Sequence, residues 1–171
     1  RDLFNTLIQS RTDVEKYSDI PILTELSHSD TLSPLIDLSA NASANSELFR
    51  LLRTKLQFTL DKDTDKIILI TSSMSGEGKT FVSVNLSAML SMADKKILLI
   101  GLDLRRPQLA RIFNFSEGLG ISLYLSGQND DIQSMIKESE DYPGLFVLPA
   151  GAIPPNPTEL IMKKKIGRAH V

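Results

Sequence analysis

Two short stretches of this 171-residue chain gather side chains that could do chemistry together. The first is Ser75-Gly76-Glu77-Gly78-Lys79-Thr80; the second is Asp103 with Arg105 and Arg106 close behind it. Glycines let consecutive backbone N–H groups turn inward on an anion, and a helix start behind them adds partial positive charge. A lysine there can reach the β- and γ-phosphates of a nucleotide, and the hydroxyl after it can ligate Mg²⁺. A carboxylate facing such a loop can hold the same ion through water or accept a proton from an attacking hydroxyl. Arginine beside it balances phosphate charge.

Each stretch also has an ordinary reading: a βα turn that happens to hold Gly-Lys-Thr, and a solvated acidic turn that starts a helix at Pro107. The spacing is imperfect too, since the standard phosphate-loop pattern asks for glycine five positions before Gly78, where this chain has Ser73. The elements around the motifs decide between the readings. Ile67 to Ile70 is a continuous, mostly β-branched apolar run, which predicts a strand buried on both faces. After the loop, Val82, Leu86, Met89 and Leu90 recur with helical spacing and should point inward. Strand, glycine loop, helix is the context a phosphate-binding loop requires.

Asp94 marks the next turn, and Ile97 to Ile100 predicts a second buried strand. Asp103 follows its carboxyl end, the edge where open parallel sheets bind ligands. Further on, Gly118-Leu119-Gly120 opens a short helix through about Leu125, ended by Ser126-Gly127. Ile132 to Lys137 reads as a weaker edge strand, Leu145 to Leu148 as a third core strand, and Pro149 to Pro157 as a proline-rich loop. Strands alternating with helices predict an α/β fold, a doubly wound parallel sheet of P-loop NTPase type, incomplete in this fragment.

Upstream, residues 1–16 show helix-like spacing of Leu3, Phe4, Leu7 and Ile8, and Asp19 to Leu23 should be extended around Pro21. Residues 27–46 are rich in Ser, Asn, Asp and Ala and read as a linker or mobile loop. Asn45 or Ser46 can cap a helix running to about Phe58, with Leu48, Leu51, Leu52 and Leu56 on its apolar stripe. Asp61-Lys62-Asp63 is a charged turn. On the polar side of that helix, Glu47, Arg50 and Arg53 stand at i, i+3 and i+6; they could pair within the helix or with another subunit.

Composition bounds the function. A net charge of −2 lacks the basic excess a nucleic-acid platform needs, so no nucleic-acid partner is expected. There are no cysteines, and His28 and His170 are the only histidines, which leaves little for thiolate metal sites or a Ser-His-Asp triad. No apolar run reaches the ~18 residues of a membrane span. The chain opens on Arg1 rather than Met and is expected to be part of something longer. Ile166 to Val171 matches one reading frame of a common sequencing-adapter oligonucleotide and is expected to be a scar.

Taken together, these residues resemble the bacterial tyrosine kinases of capsule and exopolysaccharide synthesis, the BY-kinases, over roughly residues 1–165. Ser75 to Thr80 is similar to that family's Walker A loop, and Leu102-Asp103-Leu104-Arg105-Arg106-Pro107 to its Walker A′ loop. Glu47-x-x-Arg50-x-x-Arg53 resembles the helix motif by which the family packs into rings. Pro149 to Leu160 resembles its proline-rich loop and helix start. Asp13 to Lys16 and Ile20 to Leu23 resemble the juxtamembrane lead-in of the fused, membrane-anchored type.

The resemblance implies three parts: residues 1–45 as lead-in and linker, 46–165 as the N-terminal part of the kinase domain, and 166–171 as the scar. It implies ATP and Mg²⁺ as cofactors, with Ser75, Gly76, Glu77, Gly78, Lys79, Thr80, Phe81 and Arg105 around the nucleotide. Thr80 and Asp103 would hold the metal, Lys79 and Asp103 would serve catalysis, and Glu47, Arg50 and Arg53 would form an oligomer interface. Implied partners are a tyrosine-rich C-terminal tail on neighbouring subunits of a homo-oligomeric ring, and polysaccharide export machinery. The implied location is the cytoplasmic face of the bacterial inner membrane.

The resemblance departs at Gly101, where the family pattern has the first Asp of Asp-x-Asp. The Walker B strand and the tyrosine cluster should lie downstream, since Tyr17, Tyr124 and Tyr142 are scattered. As represented, the fragment alone is expected to turn over poorly. Two rival functions remain: a partitioning or cell-division ATPase, and an ATP-binding pseudokinase scaffold. The former carries a lysine four positions before the second loop glycine, where this chain has Met74.

Overall fold

The computed structural model describes residue 8 and residues 10–28, 34–36, 38, 44–60 and 67–162. A short helix α1 (Arg11–Glu15) is closed by a reciprocal cap: Asp13 N–H donates to Ser10 Oγ and Ser10 N–H donates to the Asp13 carboxylate. Leu3, Phe4 and Leu7 lie outside the described residues, as do Asp61 to Asp63 and the six-residue C-terminal segment from Ile166. The supposed linker is partly anchored, because Ile36 and Leu38 are buried. The buried Asn85 side chain is the reason: its amide donates to the carbonyls of Pro34 (2.7 Å) and Phe81 (2.8 Å), and its oxygen accepts from Ile36 N–H (2.9 Å).

Helix α2 (Ala44–Thr59) presents a different stripe from the expected one. Phe49, Leu52 and Leu56 are buried whereas Leu51 is 45% exposed. Phe49 sets the rotation, its ring meeting Phe81 at 5.6 Å between centroids. That rotation also carries Asn45 and Ser46 into the buried face inside the first turn, so neither is the residue preceding the helix.

Helix α3 (Lys79–Ser91) follows the glycine loop and buries Val84, Leu86, Ala88 and Met89, with Val82 and Leu90 packed beside them. A tight turn with Asp94 at φ 56° reverses the chain into β1 (Ile97–Ile100). Helix and strand therefore run antiparallel. The start of α3 lies at the carboxyl end of β1, where Asp103 follows.

After α4 (Leu109–Ile112), α5 (Ile121–Ser126) ends on Gly127 in the left-handed region. Strand β2 (Lys137–Glu138) is an antiparallel edge, and β3 (Leu145–Leu148) is the centre of the sheet. β1 and β3 are parallel, with Ile97 opposite Leu145 and Ile100 opposite Leu148. Leu145 and Val147 enter the core with α2 and α3. Leu148 packs the other way, onto Ile121 and Leu125 of α5 and Leu160 of α6 (Pro157–Met162). Helices on both faces make the fold doubly wound.

Three expectations need correction. Ile67–Ile70 forms no strand: Ile67 and Leu69 are 75% and 80% exposed, and only Ile70 leans on the core. Apolar residues make a strand only where a neighbour completes the ladder, and among the described residues none pairs with them. β1 is likewise covered on one face only, with Leu98 and Ile100 half-exposed. The 132–137 stretch is mostly a 3₁₀ turn, Gln133–Met135, because Ser134 N–H and Asp131 N–H are claimed by Asp131 and Asn129 side chains. Lys137 and Glu138 still form an edge strand, which pairs antiparallel with β3 beside the parallel β1–β3 pair.

Candidate nucleotide site

The glycine loop has the required shape. Gly76 and Gly78 both sit at φ 91°, and an added Cβ at either would meet nothing, so dihedral freedom rather than space calls for glycine. Gly78 caps α3 with no side-chain bond to the helix start. Among the described residues, the backbone N–H groups of Gly78, Lys79, Thr80 and Phe81 donate to no protein group. These are the orphan donors of a helix N-terminus, gathered behind a loop open to solvent.

Lys79 bends back over the loop, its ammonium 2.8 Å from Ser72 Oγ and 3.2 Å from the Met74 carbonyl. Glu77 folds the same way: its carboxylate accepts from Met74 N–H at 2.9 Å and from Ser73 Oγ at 3.3 Å. The Met74 N–H is the main reason its carboxyl is held below the usual range. Thr80 stands half-buried at the first turn. The Phe81 ring does not face the loop; it packs into the core against Phe49, so only its backbone N–H is available to a ligand.

Asp103 closes its own turn, one carboxylate oxygen accepting from Arg106 N–H at 2.9 Å and Arg105 N–H at 3.2 Å. The second oxygen has no protein partner among the described residues. Magnesium takes one or two protein oxygens and fills its octahedron with phosphate and water, so Thr80 and Asp103 fit as donors. Arg105, expected at the nucleotide, donates to Thr158 Oγ1 on α6 at 3.3 Å. The two residues flank a cleft of about 310 Å³ with Leu102, Pro157 and Ile161. At Gly101, a Cβ would lie 3.0 Å from Leu109 Cδ1 and 3.2 Å from Ala150 N. A larger hollow of about 660 Å³ opens beside Ser91 and Met92, at the far end of α3 from the loop.

Glu47, Arg50 and Arg53 have partners within the chain. Arg50 pairs with Glu47 and also donates to the Leu38 carbonyl, and Arg53 donates to the Met89 carbonyl at 3.3 Å. The sequence reading missed Ser72, which holds the Lys79 ammonium, and Thr158, which holds Arg105. Ser72 stands in the small-residue run Thr71-Ser72-Ser73, a signal that loop hydroxyls are at hand. Nothing local marks Thr158, because it meets Arg105 only through the fold.

Fold and site together define a phosphate-loop nucleotide-binding domain. Residues 68–153 match the CobQ/CobB/MinD/ParA nucleotide binding domain. The chain is 35% identical over 133 residues to the tyrosine-protein kinase etk of Escherichia coli strain K12, covering 78% of this chain and 18% of that protein. The kinase domain of Escherichia coli tyrosine kinase ETK superposes with a TM-score of 0.82 at 28% identity, over 95% of this chain and 68% of that one. The chimerical protein CapA2B2 superposes at 0.77 with 32% identity, over 94% and 68% of the two chains. The chain belongs to the bacterial tyrosine kinases within the CobQ/CobB/MinD/ParA nucleotide-binding family. No helix among the described residues is long and apolar enough to cross a membrane.

Proposed function

We propose that this chain is the nucleotide-gripping part of an ATP- and Mg²⁺-dependent protein-tyrosine kinase that phosphorylates a tyrosine-rich tail on neighbouring subunits. The observation that carries the reading is the group of undonated N–H groups from Gly78 to Phe81, beside Lys79 and at the sheet edge where Asp103 follows β1. The amides and Lys79 hold the phosphates, and Thr80 and Asp103 share the metal. Asp103 also takes the proton of the incoming tyrosine hydroxyl. Glu47, Arg50 and Arg53 form the ring interface by exchanging their partners within the chain for a neighbour's. The assembly acts with polysaccharide export machinery at the cytoplasmic face of the membrane, and chain length and export respond to its phosphorylation.

A second reading, an ATP-binding pseudokinase, draws support from Gly101, since a carboxylate is lacking there and Leu109 packs against the position. Incubating the full-length protein with ATP and mapping phosphotyrosine separates the two. The kinase reading expects phosphotyrosine in the wild type and its loss in Lys79→Met. Nucleotide binding without any phosphotyrosine would favour the pseudokinase.

A further inference from the structure

Three side-chain bonds converge on the backbone of Met74, a residue ahead of the orphan donors Gly78 to Phe81. Met74 N–H donates to Glu77 Oε2 at 2.9 Å, while the Met74 carbonyl accepts from Ser72 Oγ at 2.7 Å and from Lys79 Nζ at 3.2 Å. Two of these bonds serve different ends. Lys79 has three donors to divide between the Met74 carbonyl, Ser72 and an incoming phosphate, so its hold on that carbonyl is shared. Glu77 is under no such demand, because its acceptor role is spent on an N–H that lies ahead of the orphan donors Gly78 to Phe81.

We infer that Glu77 is a positioning residue: its carboxylate braces the Met74 peptide so that the loop keeps its open shape when Lys79 engages a phosphate. The alternative role for an anion at this point is competition, in which the carboxylate occupies the site until phosphate displaces it. Placement argues against competition, since the carboxylate sits on Met74 and Ser73 and no bond joins it to an N–H from Gly78 onward. Two glycines at φ 91° flank Glu77, and neither has a Cβ to restrict its dihedrals. A loop hinged on both sides of one residue needs something to hold that residue, and the bond to Met74 does so.

The inference rests on the nucleotide-binding reading for its affinity arm and not for its exchange arm. In the full chain, Mg-ADP affinity is measured by calorimetry for the wild type, Glu77→Ala and Glu77→Gln, and amide exchange is followed at Met74 and at Leu86 to Leu90. Glu77→Ala should weaken Mg-ADP about five- to tenfold, the size of one hydrogen bond of ordinary strength. Glu77→Gln retains an acceptor oxygen and should restore most of that loss. Exchange at Met74 should accelerate in Glu77→Ala while α3 stays protected, which a general loss of stability would not give. Tighter or unchanged Mg-ADP binding in Glu77→Ala overturns the brace, as does an equal loss in Glu77→Gln. If the wild type fails to bind Mg-ADP, the nucleotide reading falls, and the Met74 exchange comparison still decides for or against the brace.

Discussion

Gly120 and Gly151 touch backbone to backbone: a Cβ on Gly120 would fall 2.3 Å from Gly151 N, and one on Gly151 would fall 2.8 Å from Gly120 N. This contact docks the start of α5 on the loop leaving β3, where Ile121 N–H donates to Pro149 O and Ser122 N–H to Ala150 O, both at 2.9 Å. Gly120→Ala must push the two loops apart and should cost about 3 kcal/mol by overpacking. Gly118, two residues earlier, sits at φ 101° with open space around it, so Gly118→Ala should cost only the dihedral strain of about 1–2 kcal/mol. Urea melts of the two variants should rank in that order, and equal losses would contradict the close-approach account.

Much of the phosphate-loop unit was legible because its signals are local. Helical spacing in Val82 to Leu90, a turn at Asp94 and four apolar residues at 97–100 need no distant partner to be read. The Gly127 stop of α5 and the central strand at 145–148 are of the same kind. Ile67 to Ile70 carried an equally strong strand pattern and failed, because a ladder is a property of two segments and the pattern describes one. The stripe of α2 was misjudged for a similar reason: the Phe49–Phe81 contact sets its rotation, and leucine spacing alone does not reveal it. Within the site, Lys79 and Asp103 could be named from their neighbours in the chain, whereas the Arg105–Thr158 bond spans 53 residues and could not.

Gly101 shows what the fold does with a missing carboxylate. A Cβ there is crowded by the Leu109 side chain and by Ala150 N, so Gly101→Asp should destabilise by about 1–3 kcal/mol. Leu109 is nearly buried, and Leu109→Ala alone should cost about 2–5 kcal/mol. Made together, the two should cost less than their sum, with a coupling on the order of 1 kcal/mol as the new side chain occupies the vacated space. Denaturant midpoints of the four proteins in the cycle measure this. Strict additivity would mean that Leu109 is not what resists a side chain at this position.

The Met74–Glu77 bond should outlast ordinary carboxylates on acidification. Its N–H donor holds the Glu77 carboxyl below the usual range, so the bond is fully present above the unfolded-state value and is lost as pH falls through the lowered one. Observed by NMR, the Met74 amide shift should stay constant through the ordinary carboxylate range and move only at lower pH. Movement within that range would show that the bond does not favour the charged form.

Along α2, Glu47 and Arg53 should behave as two different kinds of residue. Glu47 is the exposed member of an i, i+3 pair, and Glu47→Ala should change monomer stability by less than about 0.5 kcal/mol. Arg53 holds the Met89 carbonyl near the end of α3, and Arg53→Ala should cost about 1 kcal/mol. If the motif also joins subunits, sedimentation of the full-length protein should show both variants shifted toward smaller species. Loss of assembly in Arg53→Ala with none in Glu47→Ala would trace the effect to the α2–α3 contact.

On the kinase reading proposed above, Asp103 has two duties that different substitutions can pull apart. One carboxylate oxygen closes the turn through Arg105 and Arg106 N–H, and the other is open to a metal or a proton. Asn keeps an oxygen for the turn but has neither the charge nor the basicity, so Asp103→Asn should melt within about 0.5 kcal/mol of the wild type. Asp103→Ala leaves both N–H groups without their acceptor and should lose about 1 kcal/mol. Phosphotransfer should fall in both by at least about a hundredfold, the usual scale for removing a general base. Mg-ADP affinity should drop only modestly, because the proposed phosphate contacts, the loop amides and Lys79, are untouched. An Asp103→Asn protein that folds normally and still phosphorylates tyrosine at the wild-type rate would restrict this residue to shaping the turn.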